Sequence, residues 1–247
     1  MGISGADTDA GAPRPRSRRL RIALRVVALL VVVLVGLALW AKLALSPQVY
    51  DVASIREAPA YQDAALLDRA WALPVAAAYG RDRLVFQPRS SYCGPTSVAN
   101  VLVSQGDAEA TPAAVLDGTG YCWIGQCIPG LTLDELAEIA RAKVDGEVEV
   151  LRDLGLEEFR EHMRRSNDPD RRYVINFLRG PLFREGGGHH SPIGGYLEAE
   201  DLVFVLDVNA DFQPWLVDTE RLFRAMDTID GATEATRGLL LIREANR

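Results

Sequence analysis

A single uninterrupted apolar run near the start of the chain sets the first limit on how it can fold. Residues 26–41 contain no charge, and the run extends to Leu45 if the Lys42 side chain reaches the membrane interface. Twenty residues at about 1.5 Å each span a hydrocarbon core of about 30 Å. A helix that is apolar on every side has no face to turn toward water. We therefore expect this segment to cross a membrane rather than to join a globular core.

The charges ahead of this run predict its orientation. Residues 1–25 hold six Arg and two Asp, a net charge of +4, and positively charged flanks stay in the cytoplasm. Residues 1–22, rich in Gly, Ala, Pro and Arg, predict a disordered cytoplasmic tail. Residues 23–45 predict an uncleaved signal anchor, because the run exceeds the roughly 7–15 apolar residues of a signal peptide and no good cleavage site follows. We expect a single-pass protein of the inner membrane with its remainder in the periplasm.

The remainder of the chain is acidic. The whole chain carries −7, so the residues after 25 carry −11. An acidic domain does not attract a phosphate backbone, which argues against nucleic acid as a partner. The sequence also holds no Walker loop, no Rossmann fingerprint and no internal repeat.

Local patterns after the apolar run predict an α+β domain. Residues 46–83 are interpreted as a tether with a helical lead-in, and residues 84–247 as the compact domain. A capping box that starts at Thr132 predicts one helix, and the charged segment Leu156–Arg165 predicts another. β-rich runs follow at residues 173–178, 191–197, 202–208 and 238–242. Helices first and antiparallel strands later are typical of an α+β fold.

Cys93 is the first candidate functional residue. It lies in Gln87-Pro-Arg-Ser-Ser-Tyr-Cys93-Gly94-Pro95, where a loop turns into an apolar helix over residues 98–103. A thiol at a helix N-terminus lies among unpaired N–H groups and the positive end of the dipole, which favour the thiolate. Gln87 can supply a side-chain N–H to an oxyanion near that sulfur. Alternatively, Cys93 is a buried small hydrophobe, as free cysteines usually are.

The other two cysteines form a separate pattern. Cys122 and Cys127 are close enough to pair, which leaves Cys93 as the odd thiol of an exported chain. A disulfide or two ordinary core thiols rank above a soft-metal site, because no His lies near them in sequence. We predict no metal site in the chain itself. His162, among the charges of its helix, is expected to be solvated and without a role.

A histidine and an aspartate lie further along the chain. If residues 191–197 and 202–208 form a hairpin that turns near residues 198–201, His189 and Asp207 lie opposite one another. The carboxylate can then orient the imidazole that activates the thiol. Neighbouring strand residues point to opposite faces, so only one of His189 and His190 should face Cys93, and we expect His189. Alternatively, His189 is a loop histidine and Asp207 a turn carboxylate.

Five motifs taken together resemble the phytochelatin synthase family. They are Gln87 with Cys93-Gly94, Gly130-Leu-Thr-Leu-Asp-Glu-Leu136, Gly188-His-His-Ser-Pro-Ile-Gly-Gly-Tyr196, Leu206-Asp207-Val208, and Ala225-Met-Asp-Thr-Ile-Asp230 followed by Arg237-Gly238. The resemblance covers about residues 85–242. The His-x-Ser-Pro-Ile-Gly-Gly-Tyr segment is its most distinctive part.

The resemblance implies a papain-like cysteine protease fold, in which a helical half carries the nucleophile and packs with an antiparallel sheet. Family members attack the Cys–Gly bond of glutathione, release glycine and hold γ-glutamylcysteine as a thioester. By motif position, Cys93 matches the family's nucleophile and His189 its base. Asp207 matches the residue that orients the base, and Gln87 matches the oxyanion donor. Asp230 and Arg237 match the residues that hold the γ-glutamyl amine and carboxylate. Alternatively, these two residues form an ordinary ion pair near the end of the chain.

One departure from the family pattern favours hydrolysis. Eukaryotic members carry a basic residue shortly after the Asp-Val that matches Asp207-Val208, whereas this chain reads Asn209-Ala210-Asp211. The change weakens the case for a second glutathione site and hence for polymerisation, and short bacterial members of the family resemble hydrolases of glutathione more than efficient synthases. The expected partner is glutathione or another γ-glutamyl thiol peptide. No cofactor is expected for the acyl step, and a heavy-metal (Cd, Zn) thiolate is expected at most as a co-substrate.

Two other functions stay open on the sequence alone. A C39-like cysteine peptidase shares the Gln-x5-Cys-Gly and Gly-x-Thr-Leu patterns, but it would cleave an α-linked peptide. A non-catalytic module would bind thiols or metal through Cys93, Cys122 and Cys127, and it would form no covalent intermediate.

Overall fold

The computed structural model describes residues 18–44, 48–121 and 130–244. The chain forms two units, Met1–Pro47 and Gln48–Arg247, each of which is described by itself. Cys122 and Cys127 lie outside the described residues, and so does the predicted tail up to residue 17.

The first unit contains one long helix, α1, over Arg18–Ala44. Its segment Leu20–Lys42 has a mean hydropathy of 2.9 and is 0 % buried, so it is long and apolar enough to cross a membrane. A signal sequence has the same properties. The helix begins inside the segment predicted to be disordered, because Arg, Leu and Ile at its start are compatible with helix. The prediction of disorder is therefore wrong for residues 18–22.

The second unit is built on one antiparallel sheet. Its six strands lie in the order β1-β6-β2-β3-β4-β5. The strands are β1 Gly146–Leu151, β2 Arg171–Leu178, β3 Gly188–Leu197, β4 Leu202–Val205, β5 Trp215–Asp218 and β6 Leu239–Glu244. Helices lie before and between them: α2 Ala64–Trp71, α3 Pro74–Tyr79, α4 Cys93–Ser104, α5 Pro112–Leu116, α6 Leu133–Lys143, α7 Leu156–Arg165, α8 Gly180–Phe183 and α9 Thr219–Met226.

Helices cover both faces of this sheet. On one face, Val98 of α4 and Leu136 of α6 pack with Val174 of β2. On the other face, Phe159 of α7 and the following β2 residue, Ile175, belong to a second core. Because successive strand residues point to opposite faces, buried residues such as these fill two cores from one strand. The α+β architecture, with a helical half that carries Cys93 and an antiparallel sheet, is confirmed.

The predicted hairpin between the third and fourth strands is also confirmed. β3 pairs with β4 in antiparallel register, and the turn between them ends at Asp201 in the left-handed conformation. A bulge interrupts the pairing between Ile193 and Gly195. Gly195 has a φ of +145°, and a Cβ on Gly194 would meet Phe204 at 2.7 Å. The Gly-Gly pair is therefore required by the backbone conformation and by the close approach of β4.

The segment expected to be a tether and lead-in, residues 46–83, contributes to the same core from residue 48 onward. It forms two short helices, since Pro74 begins α3 and separates it from α2. Val75, Ala76 and Tyr79 are fully buried against the core beneath α4. The compact unit therefore begins well before residue 84.

Candidate active site

Helix α4 fixes the position of the Cys93 thiol. Cys93 is the first residue of the helix and is 6 % exposed. The next residue, Gly94, allows close packing, because a Cβ there would lie 3.2 Å from Leu136. Pro95 fits the first turn, where its missing N–H costs nothing. The thiol thus lies beside the unpaired N–H groups of a buried helix N-terminus, as the sequence predicts.

The β3–β4 hairpin brings His189 and Asp207 together in a buried network. His189 Nε2 lies 3.0 Å from Asp207 Oδ1. Arg179 Nη2 donates to both carboxylate oxygens at 2.8 Å. Trp215 Nε1 donates to Oδ2 at 2.9 Å, and the backbone N–H of Asn209 donates to Oδ1 at 2.9 Å. Asp207 is fully buried, so these donors replace the water that a carboxylate would otherwise hold.

The network shifts the pKa values of its members in opposite directions. Burial alone would raise the pKa of Asp207, but the charge and hydrogen bond of His189, with Arg179 and Trp215, lower that pKa to about 2. Burial would lower the pKa of His189, but the charge and hydrogen bond of Asp207 outweigh burial and raise it. The pair therefore favours an imidazolium held by a carboxylate.

Both histidines reach the thiol, so the expectation that only one of them faces Cys93 is wrong. His190 Nδ1 lies 3.8 Å from Cys93 Sγ. His189 acts on the thiol as well, because its hydrogen bonding and charge are the strongest of the influences that lower the pKa of Cys93. The two rings do leave β3 on opposite faces, opposite Asn176 and Phe177 of β2.

The physical reason lies in the edge of the sheet. The paired register of β3 with β4 begins only at Ile193, so β3 carries no β4 partner alongside His189 and His190. Cys93, the first residue of α4, lies at this end of β3, where its Sγ is within reach of the His190 ring. Strand alternation predicts faces correctly here, but it does not limit what reaches the edge.

The two histidines set the ionisation of Cys93. Burial would raise the pKa of the thiol, but the hydrogen bonds and charges of His189, and then of His190, lower it well below its ordinary value. The helix N-terminus acts in the same direction. The thiolate is therefore the favoured state of Cys93.

Gln87 lies in the segment that leads to helix α4 and Cys93. Its backbone N–H donates to the carbonyl of Val208 at 2.7 Å, which ties this segment to the residue after Asp207. Its side-chain Nε2 lies 3.5 Å from the carbonyl of Ser90. The carbonyl oxygen of its side chain is buried and has no partner within the described part of the chain.

Asp230 and Arg237 lie across a cavity from the thiol. The cavity has a volume of about 410 Å³, and the described residues that line it include Cys93, Asn176, His190, Asp230 and Arg237. Arg237 Nη1 lies 3.0 Å from Asp230 Oδ2, and Arg237 is 7 % exposed. Arg237 Nε is buried and has no hydrogen-bond partner among residues 18–44, 48–121 and 130–244.

The structure adds three residues that the sequence reasoning missed. Arg179 and Trp215 bind the carboxylate of Asp207, and Asn176 contacts His190. Arg179 also stacks over the ring of Phe212 at 3.7 Å. The sequence carried a signal only for Asn176, a polar residue inside the apolar strand β2. His162, predicted to be solvated, is half-buried and contacts the hydroxyl of Tyr173 at 3.1 Å.

The described residues contain no cluster of side chains that could bind a metal ion. No group of three or more His, Cys, Asp or Glu side chains is placed there to hold an ion. The buried titratable groups of the site instead point to nucleophilic chemistry, with a thiol, an imidazole and a carboxylate in contact.

Comparison with known proteins decides the family. The profile of the phytochelatin synthase family matches residues 60–239. The chain belongs to the phytochelatin synthase family. The match includes helix α4 with Cys93, the β3–β4 hairpin and Arg237, so the whole candidate site lies inside the family's shared region.

Relatives named in this family are longer proteins. The chain is 34 % identical over 124 residues to glutathione γ-glutamylcysteinyltransferase 3 of Lotus japonicus, a match that covers 49 % of the chain and 26 % of the relative. It is 25 % identical over 175 residues to glutathione γ-glutamylcysteinyltransferase of Schizosaccharomyces pombe, with 65 % and 41 % covered. The matched part therefore spans less than half of the length of either relative.

Among solved structures, two peptidases superpose over most of their own length. The peptidase domain of Streptococcus ComA is 15 % identical, with a TM-score of 0.45, covering 66 % of this chain and 98 % of that one. A C39-like peptidase from Bacillus anthracis is 12 % identical, with a TM-score of 0.48, covering 68 % and 97 %.

The lowered pKa of Cys93 predicts a specific alkylation profile. Because the thiolate is the reactive form, alkylation of Cys93 by iodoacetamide should stay fast as the pH falls below the ordinary thiol range, and should slow only through the lowered pKa. In His189→Ala, the largest hydrogen bond and charge on the thiol are lost, so the apparent pKa should rise. Peptide mass spectrometry separates Cys93 from Cys122 and Cys127. A His162→Ala control should keep the wild-type profile, whereas equal profiles for wild type and His189→Ala would contradict the assignment.

Proposed function

We propose that the second unit is a thiol acyltransferase or peptidase that cleaves the Cys–Gly bond of glutathione, or of a related γ-glutamylcysteinyl peptide, through a thioester on Cys93. The observation that carries the proposal is a buried thiol of lowered pKa between two histidines, one of them held by Asp207, at the wall of a cavity. Membership of the phytochelatin synthase family and the names of the relatives support the choice of substrate.

The first chemical step uses the thiolate and the His189 imidazolium. Cys93 Sγ attacks the carbonyl carbon of the Cys–Gly amide, and the resulting oxyanion lies beside the N-terminus of α4, where backbone N–H groups are unpaired. Gln87 is proposed as a further donor to this oxyanion. As the C–N bond breaks, His189 passes its proton to the leaving glycine amine. Asp207 keeps the imidazole oriented and stabilises its charged form.

Substrate recognition is proposed for the Asp230–Arg237 pair. A γ-glutamyl group ends in an amine and a carboxylate, so its site needs one charge of each sign. Arg237 has a buried Nε with no partner in the described residues, and Arg237 can grip a carboxylate bidentately. Asp230 is then placed to accept from the amine. The cavity of about 410 Å³ that joins this pair to Cys93 has room for a small peptide.

Hydrolysis of the thioester is proposed to prevail over chain building. The segment after Asp207 carries Asp211, which is exposed. Because Asp211 is negatively charged, it cannot bind the carboxylate of a second glutathione as a basic residue would. Asn209 Oδ1 accepts the backbone N–H of Asp211 at 2.9 Å, so the acidic residue is held in a tight turn. No cofactor is proposed for the acyl step, and a Cd or Zn thiolate is proposed only as a co-substrate for transfer.

The cellular placement is part of the proposal. Helix α1 has the length and hydropathy of a membrane-spanning segment, and six Arg precede or enter it. Positively charged flanks favour a cytoplasmic N-terminus, so we propose that α1 anchors the chain in the inner membrane with the catalytic unit in the periplasm.

Substitution of the nucleophile tests the reaction. Cys93→Ala and Cys93→Ser should abolish glycine release from glutathione, because neither side chain supplies a thiolate at neutral pH. Glycine release by the full chain in detergent is followed by amino-acid analysis. Cys122→Ala, a change at another thiol, serves as the control and should keep activity. Full glycine release by Cys93→Ala would contradict the proposed reaction. Cleavage of the α-linked isomer of glutathione at a rate equal to that of glutathione would favour a general peptidase.

Loss of Arg237 tests substrate recognition. Hydrogen bonds to charged groups contribute about 1.5–3 kcal/mol, so Arg237→Met should lower kcat/KM for glutathione by roughly 10- to 100-fold. Because the lost contact is remote from the reacting bond, most of the decrease should appear in KM. Arg243→Met removes an arginine of β6 whose partners are Glu147 and Glu149, and it should leave kcat/KM unchanged. Equal effects of the two changes would mean that Arg237 has no part in recognition.

A further inference from the structure

A second histidine–amide pair lies on the cavity side of the thiol. His190 Nδ1 is 3.8 Å from Cys93 Sγ, and His190 Nε2 is 3.0 Å from Asn176 Nδ2. His190 and Asn176 are directly opposite one another on β3 and β2, and both are buried. The thiol therefore contacts a second imidazole besides the His189 that lowers its pKa, and this second imidazole has an orienting side chain of its own.

The two pairs differ in what they face. His190 and Asn176 are among the described residues that line the cavity, together with Cys93. His189 is not among those described lining residues, and its ring packs edge-on against Phe177 of the opposite core, with centroids 5.5 Å apart. A molecule that enters the cavity after glycine has left meets His190 before it meets His189.

We propose that His190, positioned by Asn176, is the general base that removes a proton from the water or thiol that resolves the thioester. This inference rests on the proposed function and assigns the two halves of the reaction to different histidines. His189 protonates the leaving glycine, and His190 activates the second nucleophile.

Rotation of the Asn176 amide can change which nitrogen of the His190 ring carries the proton. In the observed arrangement Nδ2 donates to His190 Nε2, so a neutral His190 carries its proton on Nδ1 and donates it toward the thiolate. Asn176 Oδ1 is buried and has no partner within the described residues. Exchange with water in the cavity can move the ring proton: Nδ1 gives its proton to water, the amide makes a half-turn, and Nε2 takes a proton from water and donates it to Oδ1. This exchange leaves Nδ1 unprotonated and able to act as a base. Once sulfur is acylated it no longer attracts the Nδ1 proton, so the second arrangement becomes favourable.

The proton balance closes with groups that are present. As water oxygen bonds to the thioester carbon, Nδ1 of His190 accepts one water proton. The C–S bond then breaks with its electrons on Sγ, and the carboxylic acid product loses its remaining proton to solvent. The proton on His190 passes to Sγ, 3.8 Å from Nδ1, and from Sγ to the neutral His189, which interacts with the thiol. The starting thiolate and His189 imidazolium are restored, and the reverse exchange with water returns the His190 proton from Nε2 to Nδ1.

His190→Phe separates the two halves of the reaction in rapid-quench kinetics with glutathione. Phe keeps a ring in the cavity wall but cannot take a proton. The burst of glycine, which reports acylation and counts folded sites, should slow by about tenfold or less, since one hydrogen bond to the thiolate is lost. Steady-state release of γ-glutamylcysteine should fall by about 10²- to 10⁴-fold, which is the usual contribution of a general base. His162→Phe, the same change outside the cavity, should keep both phases.

Two further measurements distinguish a base from a merely structural residue. Trifluoroethanethiol, ionised at mildly alkaline pH, needs no base and should restore release of the acyl group in His190→Phe. Asn176→Asp keeps an acceptor for Nε2–H and should retain most of the deacylation rate, whereas Asn176→Leu should behave like His190→Phe.

Three results would overturn the inference, and two others bear on it differently. Equal slowing of the burst and of steady-state release in His190→Phe would overturn the inference, and so would unchanged kinetics or a failure of trifluoroethanethiol to rescue. The absence of glycine release from glutathione by the wild-type protein would instead overturn the proposed function itself. A burst followed by slow, thiol-rescued release in the variant supports the role of His190.

Discussion

The buried ion pair between His189 and Asp207 is the interaction on which the site depends. A fully buried carboxylate is costly unless every lone pair is satisfied. Here Arg179, Trp215 and the backbone of Asn209 satisfy Asp207 alongside the imidazole. Because the carboxylate remains ionised, it holds His189 in one orientation and raises its pKa, and the charged His189 in turn lowers the pKa of Cys93. The thiolate of Cys93 is thus a consequence of the pairing between His189 and Asp207.

The fold supplies this arrangement from three separate parts of the sheet and its helices. The β3–β4 hairpin brings His189 and Asp207 together, and Arg179 follows directly after β2, at the start of α8. Helix α4 starts at Cys93 and packs across β3, so its N-terminus meets the open strand end where both histidines lie. The same register places Asn176 opposite His190 and thereby gives the cavity wall a second imidazole with its own orienting group.

Much of this arrangement could be predicted from the sequence, because it depends on local patterns. The capping box at Thr132, the helix start at Cys93 and the hairpin that aligns His189 with Asp207 all have short-range signals, and the structure shows each of them. The contact of His190 with sulfur could not be predicted from strand alternation, because it depends on where β4 pairing begins. Arg179 and Trp215 were missed because their partner, Asp207, is brought to them only by the tertiary fold.

The most direct test of a thioester on Cys93 is the mass of the protein itself. The full chain is mixed with glutathione, quenched in acid within the first turnover and digested for peptide mass spectrometry. We expect one γ-glutamylcysteinyl group on the peptide that contains Cys93, removed by hydroxylamine as a thioester is. No adduct during active glycine release, or an adduct only on Cys122 or Cys127, would contradict Cys93 as the nucleophile.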